Sequence, residues 1–133
     1  MSALAAPAPN ASARPAFLRL HALSTSEPAI DLVHLARQTD NDPALEEELL
    51  LLFDRQSESL LAQMSVADAA PARRGDLAHT LRGSALAVGA GAVARGALAL
   101  ESALSRGGNG EFELAGLVDA VREARAAIAR LRG

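Results

Sequence analysis

The sequence contains no cysteine, no tryptophan, no tyrosine and no lysine. Without cysteine there are no disulfides, no thiol catalysis and no thiolate metal site, and the redox compartment cannot be read from thiols. Three Phe are the only aromatics, 2% of the chain, too few for platforms on which bases or sugars stack. All thirteen basic residues are Arg, set against sixteen Asp and Glu for a net charge of −3. They are dispersed, whereas nucleic-acid affinity comes largely from concentrated basic charge that neutralises phosphates. No apolar stretch approaches the roughly 20 residues needed to span a bilayer. The first residues also lack the charged start and apolar run of a secretory signal. Neither a nucleic-acid partner nor a membrane is therefore expected, and the chain reads as cytoplasmic.

What is present is enough for one domain. The chain has 133 residues, half of them hydrophobic and 22% charged, a balance that can bury a core and stay soluble. Residues 1–27 are rich in Ala, Pro and Ser, with Pro7, Pro9, Pro15 and Pro28 as helix breakers. They read as a flexible leader, with a short ordered piece around Phe17–Leu20. Residues 28–133 read as the folded domain.

Beyond Pro28 the pattern is helical throughout. Roughly a quarter of the chain is Ala, the best helix former, and no period-two strand pattern occurs. A short helix is predicted over Ile30–Gln38. A second starts at Pro43 with Asp42 as N-cap, carries Glu46, Glu47 and Glu48 where the helix dipole favours negative charge, and runs to Met64. Its expected buried face is Leu45, Leu49, Leu52, Gln56, Leu60 and Gln63. A third runs from Pro71 to Val88, Gly89 and Gly91 break it, and a fourth continues to Ser105. Gly107-Gly108-Asn109-Gly110 is the strongest turn signal, making the fourth helix and a fifth, Glu111–Leu131, antiparallel neighbours. The expected fold is all-α: an antiparallel four-helix bundle with a short extra N-terminal helix.

Few residues could carry chemistry. Of three His, His21 lies in the leader and His34 in the short helix without a second ligand at helical spacing, so a metal site has little support. The acidic run at Glu46 points in different directions around its helix and reads as a solvated first turn. Gly89-Ala90-Gly91 lacks the third glycine and preceding strand of a dinucleotide loop. His79 is different. At 100° per residue Leu77, Leu81, Ser84 and Val88 fall opposite it as a core face, so the imidazole points outward with Arg82 and Gly83 one turn away. A neutral imidazole nitrogen is a nucleophile near neutral pH, and a neighbouring cation neutralises an incoming phosphoryl group. Gly83 costs about 1 kcal/mol relative to Ala inside a helix, and its missing side chain leaves room for close approach. Leu86, on the same face, adds apolar surface that a docking protein could cover.

The string His79-x-Leu81-Arg82-Gly83-Ser84, followed by Gly89-Ala90, Val93, Ala97 and Leu100-Glu101, closely resembles the histidine-containing phosphotransfer (HPt) domain. That family's signature reads H-x-L-K-G-S, then G-A, an apolar position, a small residue and L-E, and the spacing matches without a gap. A weaker upstream pattern (Ile30-Asp31, Leu35, Asp42, Leu45, Leu49, Phe53) extends the resemblance to roughly residues 29–131. The resemblance implies that His79 accepts a phosphoryl group from an aspartyl phosphate and can return it to another. Arg82 stands where Lys is usual and keeps the charge, although its planar fork differs from a compact ammonium. Gly83 would allow close approach, Ser84 and Gly89 would be structural, and Ala85 replaces a frequent second Ser. Glu101 occupies a position that approaches the active His in related proteins, where it could hydrogen-bond the imidazole or only pair with an Arg.

The same resemblance implies a phosphoryl carrier rather than an independent enzyme, with no cofactor of its own and Mg²⁺ supplied by the partner. Implied partners are receiver domains of response regulators, a hybrid histidine kinase, or both, and a monomer is expected. Two other roles are open to the sequence: the phosphoacceptor module of a chemotaxis-type histidine kinase, and a helical interaction module that carries no phosphate.

Overall fold

The computed structural model describes residues 27–133. The predicted leader, including His21 and the Phe17–Leu20 piece, therefore lies outside the described residues apart from Glu27. Five helices follow one another: α1 Leu32–Gln38, α2 Pro43–Met64, α3 Pro71–Val88, α4 Gly91–Ser105 and α5 Glu111–Arg132. No strand occurs among the described residues, and no helix there is long and apolar enough to cross a membrane.

Local chemistry sets the helix ends. Asp31 accepts from the amides of Val33 and His34 at 3.1 Å each, so α1 begins after it rather than at Ile30. Asp42 caps α2 through the amides of Ala44 and Leu45, at 3.0 and 3.3 Å, with Pro43 in the first turn. Gly89 ends α3 in the left-handed conformation at φ +79°. Gly110 is also left-handed (φ +71°), and a Cβ there would lie 2.5 Å from Leu100 Cδ1. The turn between α4 and α5 is thus closed by a residue with no side chain to accommodate.

α2, α3, α4 and α5 form a closed antiparallel ring, with α2 against both α3 and α5, and α1 lying against α3. Phe53, Met64, Leu81, Leu100, Leu117 and Ile128 are fully buried at its centre. Truncating a residue of this kind to Ala typically costs about 2–5 kcal/mol. The buried face of α2 is Leu50, Phe53, Ser57, Leu60 and Met64, one residue out of step with the predicted face. Leu45 and Leu52 are exposed, as is Gln63. The reason is physical: Leu49–Leu52 is an unbroken leucine run, so either register is apolar there, and the bulkier Phe53 and Met64 decide.

Two arginines tie the bundle together. Arg74, almost wholly buried, donates to Val66 O (3.1 Å), Asn109 O (3.3 Å) and Glu111 Oε2 (3.0 Å), pinning the α2–α3 loop to the start of α5. Arg125 on α5 holds Asp54 on α2, Nε to Oδ1 at 2.9 Å.

Candidate functional site

Close packing of α3 on α4 builds the site. Ala78 and Ala85 on α3, with Ala94 and Ala97 on α4, are all buried, and such small side chains let two helix backbones approach. The helices run antiparallel through the left-handed turn at Gly89. With Val93, Ala97 and Leu100 turned into the core, Glu101 comes to the edge of α4 opposite His79 near the middle of α3.

The His79 side chain is 67% exposed. Its Nδ1 lies 2.9 Å from Glu101 Oε2. The other carboxylate oxygen, Oε1, pairs with Arg82 Nε at 3.0 Å. That contact is an ion pair without hydrogen-bond alignment, since Oε1 is buried and receives no hydrogen bond from any described residue. Arg82 Nη2 also lies 3.4 Å from His79 Nδ1. The two contacts on Nδ1 compete, because a carboxylate only accepts and a guanidinium only donates. The shorter, charge-assisted one to Glu101 prevails, which assigns the proton to Nδ1 and leaves the Nε2 lone pair free. No described residue hydrogen-bonds Nε2.

The other predicted residues fall around this centre in different ways. A Cβ at Gly83 would meet nothing within 4 Å, so no packing reason requires glycine there. Leu86 is exposed on the same helix face. Ser84 sits at the margin of the core rather than within it: Ala78 and Ala85 complete the buried face, and Ser84 Oγ donates to Gln56 Oε1 on α2 at 2.9 Å. Gly89 is a structural contact as well as a cap. A Cβ there would lie 2.9 Å from Asp31 O, while Asp31 N donates to Gly89 O at 2.8 Å. His34 bonds Gln38 within α1 at 3.3 Å and lines a small cleft with Asp31, Ala85 and Leu86. Among the described residues no three His, Asp or Glu side chains gather closely enough to hold a metal.

Sequence reasoning missed Gln56 as the partner of Ser84 and Asp31 as the neighbour of Gly89. Neither carries a local signal, since each contact joins segments far apart in the chain. Glu101 was legible only through its place in the string that resembles the HPt signature, which admits both pairings. The structure shows both at once, one on each oxygen.

The described residues thus form an all-helical bundle that carries an exposed imidazole hydrogen-bonded to a carboxylate and flanked by a guanidinium. No family model and no curated protein matches the sequence. Solved structures do match the fold. A rice protein assigned as a histidine-containing phosphotransfer protein superposes with a TM-score of 0.66 at 19% identity, covering 86% of this chain and 93% of that one. A histidine-containing phosphotransfer protein from maize superposes with a TM-score of 0.50 at 20% identity, covering 87% and 88%. The chain has the fold of the HPt domain.

Proposed function

We propose that this chain is a histidine phosphotransfer protein of a two-component phosphorelay, with His79 as phosphoacceptor. The observation that carries the proposal is the 2.9 Å contact between His79 Nδ1 and Glu101 Oε2 on a largely exposed imidazole, with no described residue hydrogen-bonded to Nε2. The HPt fold supports it from outside the site.

In the transfer, the Nε2 lone pair attacks phosphorus of an aspartyl phosphate on a receiver domain. The P–N bond forms as the P–O bond breaks, and the aspartate leaves as a carboxylate. The ring keeps its Nδ1 proton and becomes cationic, a charge that Glu101 stabilises through the hydrogen bond already in place. Arg82, parked on Glu101 Oε1 at 3.0 Å, is close enough to swing to the phosphoryl oxygens. Phosphoryl transfer is mostly positioning and charge stabilisation, so one nucleophile, one orienting carboxylate and one cation suffice on this side. The Mg²⁺ that neutralises the phosphoryl group belongs in the receiver's acidic pocket, not on this chain. Reversal of the same step returns the group to another receiver. On this reading the protein is a carrier, a cytoplasmic monomer whose partners are receiver domains of response regulators, a hybrid histidine kinase, or both.

The test mixes purified protein with phosphorylated receivers and Mg²⁺. An acid-labile, base-stable adduct is expected on the wild type and not on His79→Gln, which should keep its fold because the side chain is largely solvent-exposed. Labelling by a histidine kinase with ATP, but by no receiver, would instead mark a kinase phosphoacceptor module. No label from either source would leave a helical interaction module.

A further inference from the structure

A groove of about 530 Å³ runs from His79 and Glu101 toward the opposite end of the α3–α4 pair, past Asp76, Gly75 and Ala72 on one wall and Leu104 on the other. At 1.5 Å per residue its α3 wall extends about 12 Å from His79 to Pro71. It is a trough between two helices rather than an enclosed cavity, and the α3 wall is lined by small side chains. A Cβ at Gly75 would only just touch Leu104 Cδ1, at 4.0 Å, so glycine there widens the groove. Its two acids differ. Glu101 is engaged by His79 and Arg82, whereas Asp76, one turn before His79 and exposed, has no ion-pair partner among the described residues.

We infer that this groove is a specificity surface for the receiver: an element of the receiver lies along it, with an apolar side chain over Ala72, Gly75 and Leu104 and a Lys or Arg against Asp76. The inference rests on the phosphotransfer role proposed above. Continuity argues for the occupant, since any protein that brings an aspartyl phosphate to His79 also faces a groove beginning at that residue. Charge argues for its chemistry, because the exposed Asp76 carboxylate is the one charge along the wall without an ion-pair partner among the described residues. Asp76 makes no hydrogen bond to His79, so its assigned role is to position the partner.

The sign of one substitution separates docking from a local field effect. Asp76→Asn should lower kcat/KM for transfer from a phosphorylated receiver about three- to fivefold at low ionic strength, as expected for a rim charge pair. The loss should fade at about 1 M salt, where the screening length falls to roughly 3 Å. With the small anionic donor phosphoramidate the same variant should label at least as fast as wild type, because a repelling carboxylate has gone. Gly75→Leu, which fills the trough, should likewise lower the ratio of receiver to phosphoramidate rates. Receiver transfer that Asp76→Asn and Gly75→Leu leave unchanged, on a wild type that does label at His79, overturns the groove alone. A wild type labelled by neither donor defeats the phosphotransfer role and the groove with it.

Discussion

Gly83 offers a prediction with two opposite signs. It sits inside α3, where glycine costs about 1 kcal/mol relative to Ala. Its backbone is not in the left-handed region, and an added Cβ meets no atom within 4 Å. Nothing in the fold therefore offsets the cost, and Gly83→Ala should stabilise the domain by about 0.5–1 kcal/mol, raising Tm by roughly 4 °C for a domain of this size. Gly83→Gln should stabilise similarly, since Gln is also a good helix former. Function should move the other way. A Gln side chain on the exposed face one turn after His79 stands in the approach path, and a misplacement of about 1 Å can cost 10²-fold in rate. Transfer from a receiver should fall tenfold or more for Gly83→Gln and less for Gly83→Ala, with a smaller deficit toward phosphoramidate. Urea denaturation and rapid-quench transfer on the same samples measure both signs. A destabilised Gly83→Ala, or a stabilised Gly83→Gln that transfers at the wild-type rate, would refute the account of this glycine.

Other substitutions probe the remaining parts. Gly89→Ala should destabilise by about 2 kcal/mol in urea denaturation, because left-handed backbone penalises a side chain and the new Cβ meets Asp31 O at 2.9 Å; a neutral result would show that Asp31 yields freely. Arg82→Ala should slow transfer roughly tenfold without abolishing it, in line with losing one charge-assisted hydrogen bond, and an unchanged rate would remove Arg82 from the transfer. Glu101→Gln keeps an oxygen for the Nδ1 proton but loses the charge. It should slow transfer several-fold and shorten the phosphohistidine lifetime, whereas Glu101→Ala should do more by freeing the ring; equal effects would leave orientation without a role.

Much of the fold could be read from local chemistry because its boundaries are local. Asp42-Pro43, Pro71, Gly89 and Gly110 each act within a turn or two, and the helices end where those residues end them. The inward face of α2 could not be read that way. Its leucine run satisfies two registers, and the choice depends on which side chains fill the space between α3 and α5, a property of packing rather than of pattern. His79, Arg82 and Gly83 were legible because they lie within one turn of one helix. The division of labour on Glu101, one oxygen for the imidazole and one for the guanidinium, needed the distance between α3 and α4. So did the groove that leads away past Asp76, while Ser84–Gln56 needed the packing of α3 on α2.

Which ring nitrogen carries the phosphoryl group tests the central claim most directly. Two-bond ¹H–¹⁵N correlation spectra of the uniformly labelled protein, recorded before and after phosphorylation, report the protonation and substitution of both nitrogens of His79. The Glu101 contact predicts Nδ1–H with a bare Nε2 in the free protein, and a phosphoryl group on Nε2 with the Nδ1 proton retained afterwards. A free protein protonated at Nε2, or phosphate on Nδ1 or on any other residue, would contradict the account.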